Sequence, residues 1–166
     1  MNNLSFHITD ITANSIRANA SEIGLSVEEQ DTRIVIRITD NGSGMDAETA
    51  RRVTNPFYTT RTTRKVGLGL PFLIQNAEQT GGSVTLTSEP GKGTEVRAVF
   101  HSDHIDCPPW GDLPGTVALL ITGNPEINVC FEYRSGETGY SISTNEIKAI
   151  LDGVPLSYPK VMLLIK

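Results

Sequence analysis

Along the chain, Arg33 to Thr39 alternates: Ile34, Ile36 and Ile38 fall on one face and Val35, Arg37 and Thr39 on the other, which predicts a strand. Before it, a polar, helix-permissive segment runs from about Ile8 to Ser21, with Ile8, Ile11, Ser15 and Ala18 on one small or apolar stripe. Asp40-Asn41-Gly42-Ser43-Gly44 breaks the strand, and Asp46 is placed to cap a short helix through Val53. A loop is expected over Asn55 to Val66, then a helix from Leu70 to Thr80 that Gly81-Gly82 stops. Ser83 to Ser88 and Thr94 to Phe100 form a hairpin around Glu89-Pro90-Gly91-Lys92-Gly93. After a Pro- and Gly-rich stretch from Cys107 to Gly115, strands are expected at Thr116 to Thr122, Asn128 to Arg134 and Tyr140 to Ser143. A helix over Asn145 to Leu151 and a strand over Val161 to Ile165 follow, and the chain ends there with no tail, as a chain cut short of a longer protein would. The organisation is therefore read as a first domain over 1–102, a linker over 103–115, and a small α+β appendage over 116–166.

Composition adds exclusions. With 166 residues, 38% of them hydrophobic and 20% charged, the chain has ordinary globular make-up, neither disordered nor fibrous. Its net charge of −5 argues against a nucleic-acid partner. Its apolar runs are too short to span a bilayer, no leader peptide is visible, and no membrane partner is expected. Cys107 and Cys130 make no disulfide framework, so a cytoplasmic protein with free thiols is expected. The bases are unevenly spread: Arg51, Arg52, Arg61, Arg64 and Lys65 fall in a stretch without an acid. That run suits a solvated loop as well as a cover for an anionic group such as a phosphate chain.

Three short patterns carry candidate chemistry. Asp10, Asn14 and Arg17 lie one turn apart on a helix face. Asn offers an oxygen that Mg²⁺ accepts, and a carboxylate one turn away can orient or deprotonate a hydroxyl. Asp40 at a strand end can accept from an exocyclic amine, while Gly42 and Gly44 permit positive φ and close approach of a flat ring. Gly67-Leu68-Gly69-Leu70 at a helix start offers backbone amides to phosphate. It is neither a P-loop, since no Gly-Lys-Ser/Thr follows, nor a dinucleotide fingerprint, since Phe72 stands where the last glycine would be.

In this order, the patterns resemble the GHKL superfamily of ATP-binding domains: gyrase, the heat-shock chaperone ATPases, histidine kinases and MutL. The stretch from Asp10 to Ala20 resembles the N box, Asp40-x-Gly42-x-Gly44 the first glycine box, and Asn55 to Arg61 the F box and lid of histidine kinases. Gly67-x-Gly69-Leu70 resembles the second glycine box, and Gly91-Lys92-Gly93-Thr94 the closing hairpin. The resemblance covers about residues 6–100. It implies an α+β fold, a two-layer sandwich of helices on a mixed, mostly antiparallel sheet, with ATP and Mg²⁺ as cofactors. It implies Asn14 as the metal ligand, Asp40 as the adenine contact, and Gly42, Gly44 and Met45 as the adenine floor. Gly67, Leu68, Gly69 and Leu70 would hold phosphates, and Thr94 would support the adenine end. Phe57, Thr59, Thr60, Arg61, Arg64 and Lys65 would belong to a lid that closes over the nucleotide.

Asp10 stands where gyrase, MutL and the anti-sigma-factor serine kinases carry a Glu that acts as general base; histidine kinases usually have no acid there. One methylene less shifts the carboxylate by about an ångström, a misplacement that can cost on the order of a hundredfold in rate. Few residues precede the N box, so a phosphoacceptor-histidine domain is not expected. His7 is read as a surface or capping residue, His101 and His104 as outside any metal set, and Trp110 as a packing anchor. The expected function is a soluble kinase that passes the γ-phosphate of ATP to a partner protein, with Asp10 as base. The alternatives are a nucleotide sensor without catalysis and a gyrase–MutL type ATPase switch. The segment after 115 is open to partner binding, lid regulation, completion of the core or homodimer formation.

Overall fold

The computed structural model describes residues 3–54 and 69–151. Six strands form one sheet: β1 (Glu22–Gln30), β2 (Arg33–Asp40), β3 (Ser83–Glu89), β4 (Gly93–His101), β5 (Asn128–Ser135) and β6 (Thr138–Ser143). Their order across the sheet is β3-β4-β2-β1-β5-β6. Among the described strands only the β1–β5 pair is parallel. Among the described residues five helices accompany them: α1 (Leu4–Arg17), α2 (Ala47–Thr54), α3 (Gly69–Gln79), α4 (Leu113–Gly123) and α5 (Thr144–Leu151). The α+β class, helices on a mostly antiparallel sheet, is as expected. Residues on both sides of the expected 103–115 linker contribute strands to this one sheet. The expected strand over Val161 to Ile165 and the loop over Asn55 to Val66 lie outside the described residues.

Cross-strand register sorts one face of the sheet into rows. Leu86, Val96, Ile38, Leu25, Phe131 and Ile142 stand side by side across all six strands. The next row is Val84, Ala98, Ile36, Val27, Tyr133 and Tyr140. Most of these side chains are buried, and with Leu4, Ile8, Ile11, Leu73, Ala77, Val117 and Ile121 from the helices they form the core. Alternate residues such as Arg37 and Glu95 point to the opposite face, where their side chains pair at 2.8 Å. The sheet is thus apolar on the helix side and polar on the other, the pattern of an antiparallel sheet covered once.

Three elements differ from expectation. The first is β1, which was not foreseen. Its Ile23, Leu25 and Val27 alternate and are buried, but Gly24 and Ser26 dilute the signal. A two-residue turn, with Asp31 at a positive φ of 55°, returns it to β2. The second is Thr116 to Thr122, expected as a strand and observed inside helix α4. A short apolar run rich in β-branched residues is ambiguous by composition. The helix is decided by Asp112, whose carboxylate caps Gly115 N–H at 3.1 Å, by Pro114 in the first turn, and by burial of Val117, Ala118, Leu120 and Ile121.

The third is the start of α1, four residues earlier than expected. Asn3 caps it by accepting from Phe6 N–H at 2.6 Å. Leu4 N–H donates to the Pro109 carbonyl at 2.8 Å, and both Ser5 N–H and Ser5 Oγ donate to the Trp110 carbonyl. These distant carbonyls satisfy donors that a helix leaves orphaned at its start. The Trp110 indole donates to Glu29 Oε1 at 2.5 Å, and Tyr133 OH donates to Glu29 Oε2 at 2.7 Å. Trp110 is thereby the packing anchor foreseen for it.

His7 is corrected with the helix start: it is neither a surface nor a capping residue but 1% exposed. Its ring stacks on Phe100, and Nε2 lies 2.7 Å from Asn76 Nδ2 on α3. Nδ1 is buried without a hydrogen-bond partner among the described residues. Burial holds its pKa below the usual value of 6.5. The unfolded chain then binds a proton near pH 6.5 that the folded chain refuses, so stability falls as pH drops below about 6.5. Urea unfolding at pH 7.5 and 5.5 is expected to give a difference in stability that shrinks in His7→Leu. An equal pH dependence in both proteins would refute this.

Candidate functional site

The polar end of the sheet's helix-side face is one row beyond the apolar ones. Ser88 on β3, Thr94 on β4 and Asp40 on β2 are direct cross-strand neighbours there. Above them α1 brings Ser15 over the row, and Ser15 Oγ donates to Asp40 Oδ2 at 2.6 Å. The other carboxylate oxygen accepts from Gly42 N–H at 2.9 Å. Both oxygens are held, yet each keeps a lone pair.

The strand break at 40–44 is fixed from three sides. Asn41 Oδ1 accepts from Ser21 N–H and Glu22 N–H, each at 2.9 Å. Ser43 N–H donates to the Ala18 carbonyl at 2.9 Å, behind α1. Gly91 N–H donates to the Ser43 carbonyl at 2.7 Å, and Met45 N–H to Ser88 Oγ at 2.8 Å, so the β3–β4 hairpin grips the loop. Asp46 then caps α2 as expected, accepting from Thr49 N–H at 2.8 Å.

Between α1, the loop, the first turn of α3 and the sheet lies a cavity of about 360 Å³. Of the expected site residues, Asn14, Asp40, Gly44, Met45, Leu70 and Thr94 line it. Gly42 is buried behind Asp40 and serves through its amide. Gly69 opens α3, and the start of that helix, with the partial positive charge of its first amides, borders the cavity at Leu70. Asp10 does not line the cavity; it is half-buried, one turn before Asn14. Burial raises its pKa, against the opposing pull of Arg17. Phe57, Thr59, Thr60, Arg61, Arg64, Lys65, Gly67 and Leu68 lie outside the described residues.

The remaining walls are mostly apolar. Ile11 of α1, Ala18 just after it, Ile38 of β2 and Val96 of β4 flank the Asp40–Thr94 pair. An apolar slot with a few fixed polar atoms at its floor suits a flat heteroaromatic ring. Arg17, absent from the expected set, lines the cavity and donates from Nη2 to Asn14 Oδ1 at 2.6 Å. Its place one turn from Asn14 was the available signal. Ser15 was seen only as part of a small-residue stripe; its bond to Asp40 depends on how α1 lies on the sheet.

Gly44 shows why the loop needs its glycine. Its φ is +70°, and a Cβ there would run into the Glu89 carbonyl. Gly91, across the same contact, has a φ of +78° but open space around it. Alanine at Gly91 is expected to cost about 1 kcal/mol for backbone strain alone. At Gly44 the added collision is expected to raise that to about 3 kcal/mol. Denaturant titrations of the two variants measure the difference, and equal costs would refute it.

The family model described as histidine kinase-, DNA gyrase B-, and HSP90-like ATPase matches residues 3–104. Over 97 residues the chain is 32% identical to a putative sensor protein of Shewanella frigidimarina, covering 56% of this chain and 15% of that protein. It is 29% identical over 104 residues to the sensor histidine kinase YxdK of Bacillus subtilis, covering 58% of this chain and 32% of that one. Sporulation kinase C of the same organism is 30% identical over 101 residues, with 60% and 23% covered. The chain thus spans about a third or less of these relatives' length. Its fold is similar to that of the crystallographic N-terminal domain of a DNA repair protein, with a TM-score of 0.62 at 17% identity over 86% of this chain and 52% of that one. The matched region holds α1, the glycine loop, α3 and the β3–β4 hairpin, which are the elements that build the cavity. The chain belongs to the family of histidine kinase-, DNA gyrase B- and HSP90-like ATPases, and its matched region is similar to the ATP-binding domains of histidine kinases.

Proposed function

We propose that the chain binds ATP with Mg²⁺ in the cavity beside Asp40 and passes the γ-phosphate to a side chain of a partner protein. The observation that carries the nucleotide part is the Asp40 carboxylate. It is fixed by Ser15 and Gly42 at the floor of an apolar slot, with lone pairs left for an amino group. At the other end, the start of α3 and the Arg17 guanidinium supply positive potential for phosphates.

Asn14 suits a hard cation held by one protein oxygen, with phosphates and waters completing its shell. Among the described residues no group of three His, Cys, Asp or Glu gathers to make an all-protein cage. Arg17 occupies one lone pair of Asn14 Oδ1 and leaves the other. Bound Mg²⁺ would neutralise charge developing on the phosphates. Asp10 is the base in this reading. It takes the proton from the acceptor side chain, a Ser or Thr hydroxyl or a His ring, as that group's new bond to phosphorus forms and the bond to the ADP oxygen breaks. Its desolvated carboxylate has the raised basicity this role asks for.

A nucleotide sensor without turnover is the second reading, and the position of Asp10 outside the cavity lining favours it. The fate of the label in γ-labelled Mg-ATP separates the two. Asp40→Ala is expected to weaken ADP binding by at least about a hundredfold, the usual result of removing a hydrogen-bonding partner the site is built around. Label retained on protein or released as phosphate is expected to fall about a hundredfold or more in Asp10→Asn, the scale of a lost general base. Wild-type turnover no greater than that of Asp10→Asn and Asn14→Ala would leave the sensor; unchanged ADP binding in Asp40→Ala would overturn the site itself.

A further inference from the structure

A serine hydroxyl donates one hydrogen bond and accepts two. Ser88 Oγ, which does not line the cavity, has three neighbours. Met45 N–H lies at 2.8 Å, the Gly93 carbonyl at 3.0 Å and Thr94 Oγ1 at 2.8 Å. An amide can only donate and a carbonyl can only accept. Ser88 therefore gives its proton to Gly93, and the third contact uses the proton of Thr94. Thr94 does line the cavity, and toward it the hydroxyl has only lone pairs left.

The same count holds for the rest of the floor. Ser15 gives its proton to Asp40, and the Asp40 carboxylate has none to give. Ser15, Asp40 and Thr94 thus form a floor made only of acceptors. An amino-substituted base edge meets it with donors, whereas an oxo-substituted edge sets lone pair against lone pair. Of the two hydroxyl protons, that of Ser15 is bound to a carboxylate at 2.6 Å, the stronger kind of bond. That of Thr94 is bound only to a neutral hydroxyl, so it is the one an oxo ligand could recruit.

We infer that Ser88 is a specificity-determining positioning residue: by holding the Thr94 proton away from the cavity, it keeps the floor selective for a 6-amino over a 6-oxo purine nucleotide. This rests on the nucleotide-binding reading above. It is tested by measuring Kd for ADP and inosine diphosphate, whose sugar and phosphates are the same, so that their ratio reports the base edge alone. In Ser88→Ala the freed Thr94 proton can turn to the 6-oxo group, and the preference for ADP is expected to drop about tenfold, the worth of one hydrogen bond. Ser88→Thr keeps the hydroxyl and is expected to keep the preference. Adding Ser88→Ala to Thr94→Val is expected to change nothing further, because the proton it would release is gone. Ser88→Cys, whose sulfur is a weak acceptor, carries the same expectation as alanine should that variant not fold. A mere loosening of the hairpin would weaken both ligands alike and leave the ratio unchanged, which would overturn the inference while the site stands. Wild-type protein that binds neither nucleotide would overturn both.

Discussion

A carboxylate at the edge of an apolar core has to be satisfied, and much of the site's architecture is the answer to that requirement at Asp40. Strand register sets Thr94 and Ser88 beside it, α1 brings Ser15 down onto it, and the chain turns back at Gly42 to give it an amide. Each answer constrains another element. Ser15 fixes how α1 lies over β2, Gly42 sends the loop behind Ala18, and Ser88 joins that loop to the hairpin. Leaving such a polar group unpaired costs about 1–3 kcal/mol. The apolar row of Leu86, Val96, Ile38 and Leu25 lies directly behind, so a carboxylate slipped one step further in would have no such partners.

The opposite end of the same face carries a second acid handled the same way. Glu29 sits on the helix side in the row of Ile34 and Phe100, and both its oxygens accept, one from Trp110 and one from Tyr133. The hydrogen bond from the Tyr133 phenol, aided by burial, raises that group's pKa. One acid faces an open cavity with lone pairs to spare and suits a ligand. The other accepts from two large aromatic side chains, does not line that cavity, and suits architecture. The difference lies in what surrounds the carboxylates, not in the carboxylates themselves.

How much was legible in the sequence follows from how local each decision is. The β2 strand, the β3–β4 hairpin, the Asp46 cap and the Gly81 stop are written in adjacent residues and could be read there. The helix over 113–123 could not, because a run such as Val117 to Ile121 fits either structure and the choice falls to Asp112 and the packing. The α1 start was hidden because its partners are Pro109 and Trp110, far along the chain. In the site, Asn14, Asp40, Gly44 and Thr94 were legible through short motifs with chemical meaning. Ser15 and Ser88 were not, since their roles exist only once register and helix docking set donors against acceptors, whereas Arg17 was signalled by its place one turn from Asn14. His7 was misjudged for the same reason: nothing near it in sequence announces that Phe100 and Asn76 will cover it.

The bonds from the start of α1 to Pro109 and Trp110 also bear on the order in which a ribosome delivers the chain. Ser5 and its acceptor Trp110 are 105 residues apart. The first helix therefore leaves the exit tunnel with its leading amides open, and β1 emerges before its parallel neighbour β5 has been made. The β1–β2–β4–β3 half and the loop that holds Asp40 are complete by His101. The helix that carries Asn14 and Ser15 is locked at its leading end only when Trp110 follows. During synthesis the strands that carry Asp40 and Thr94 are thus available before the carbonyls that hold the leading end of α1.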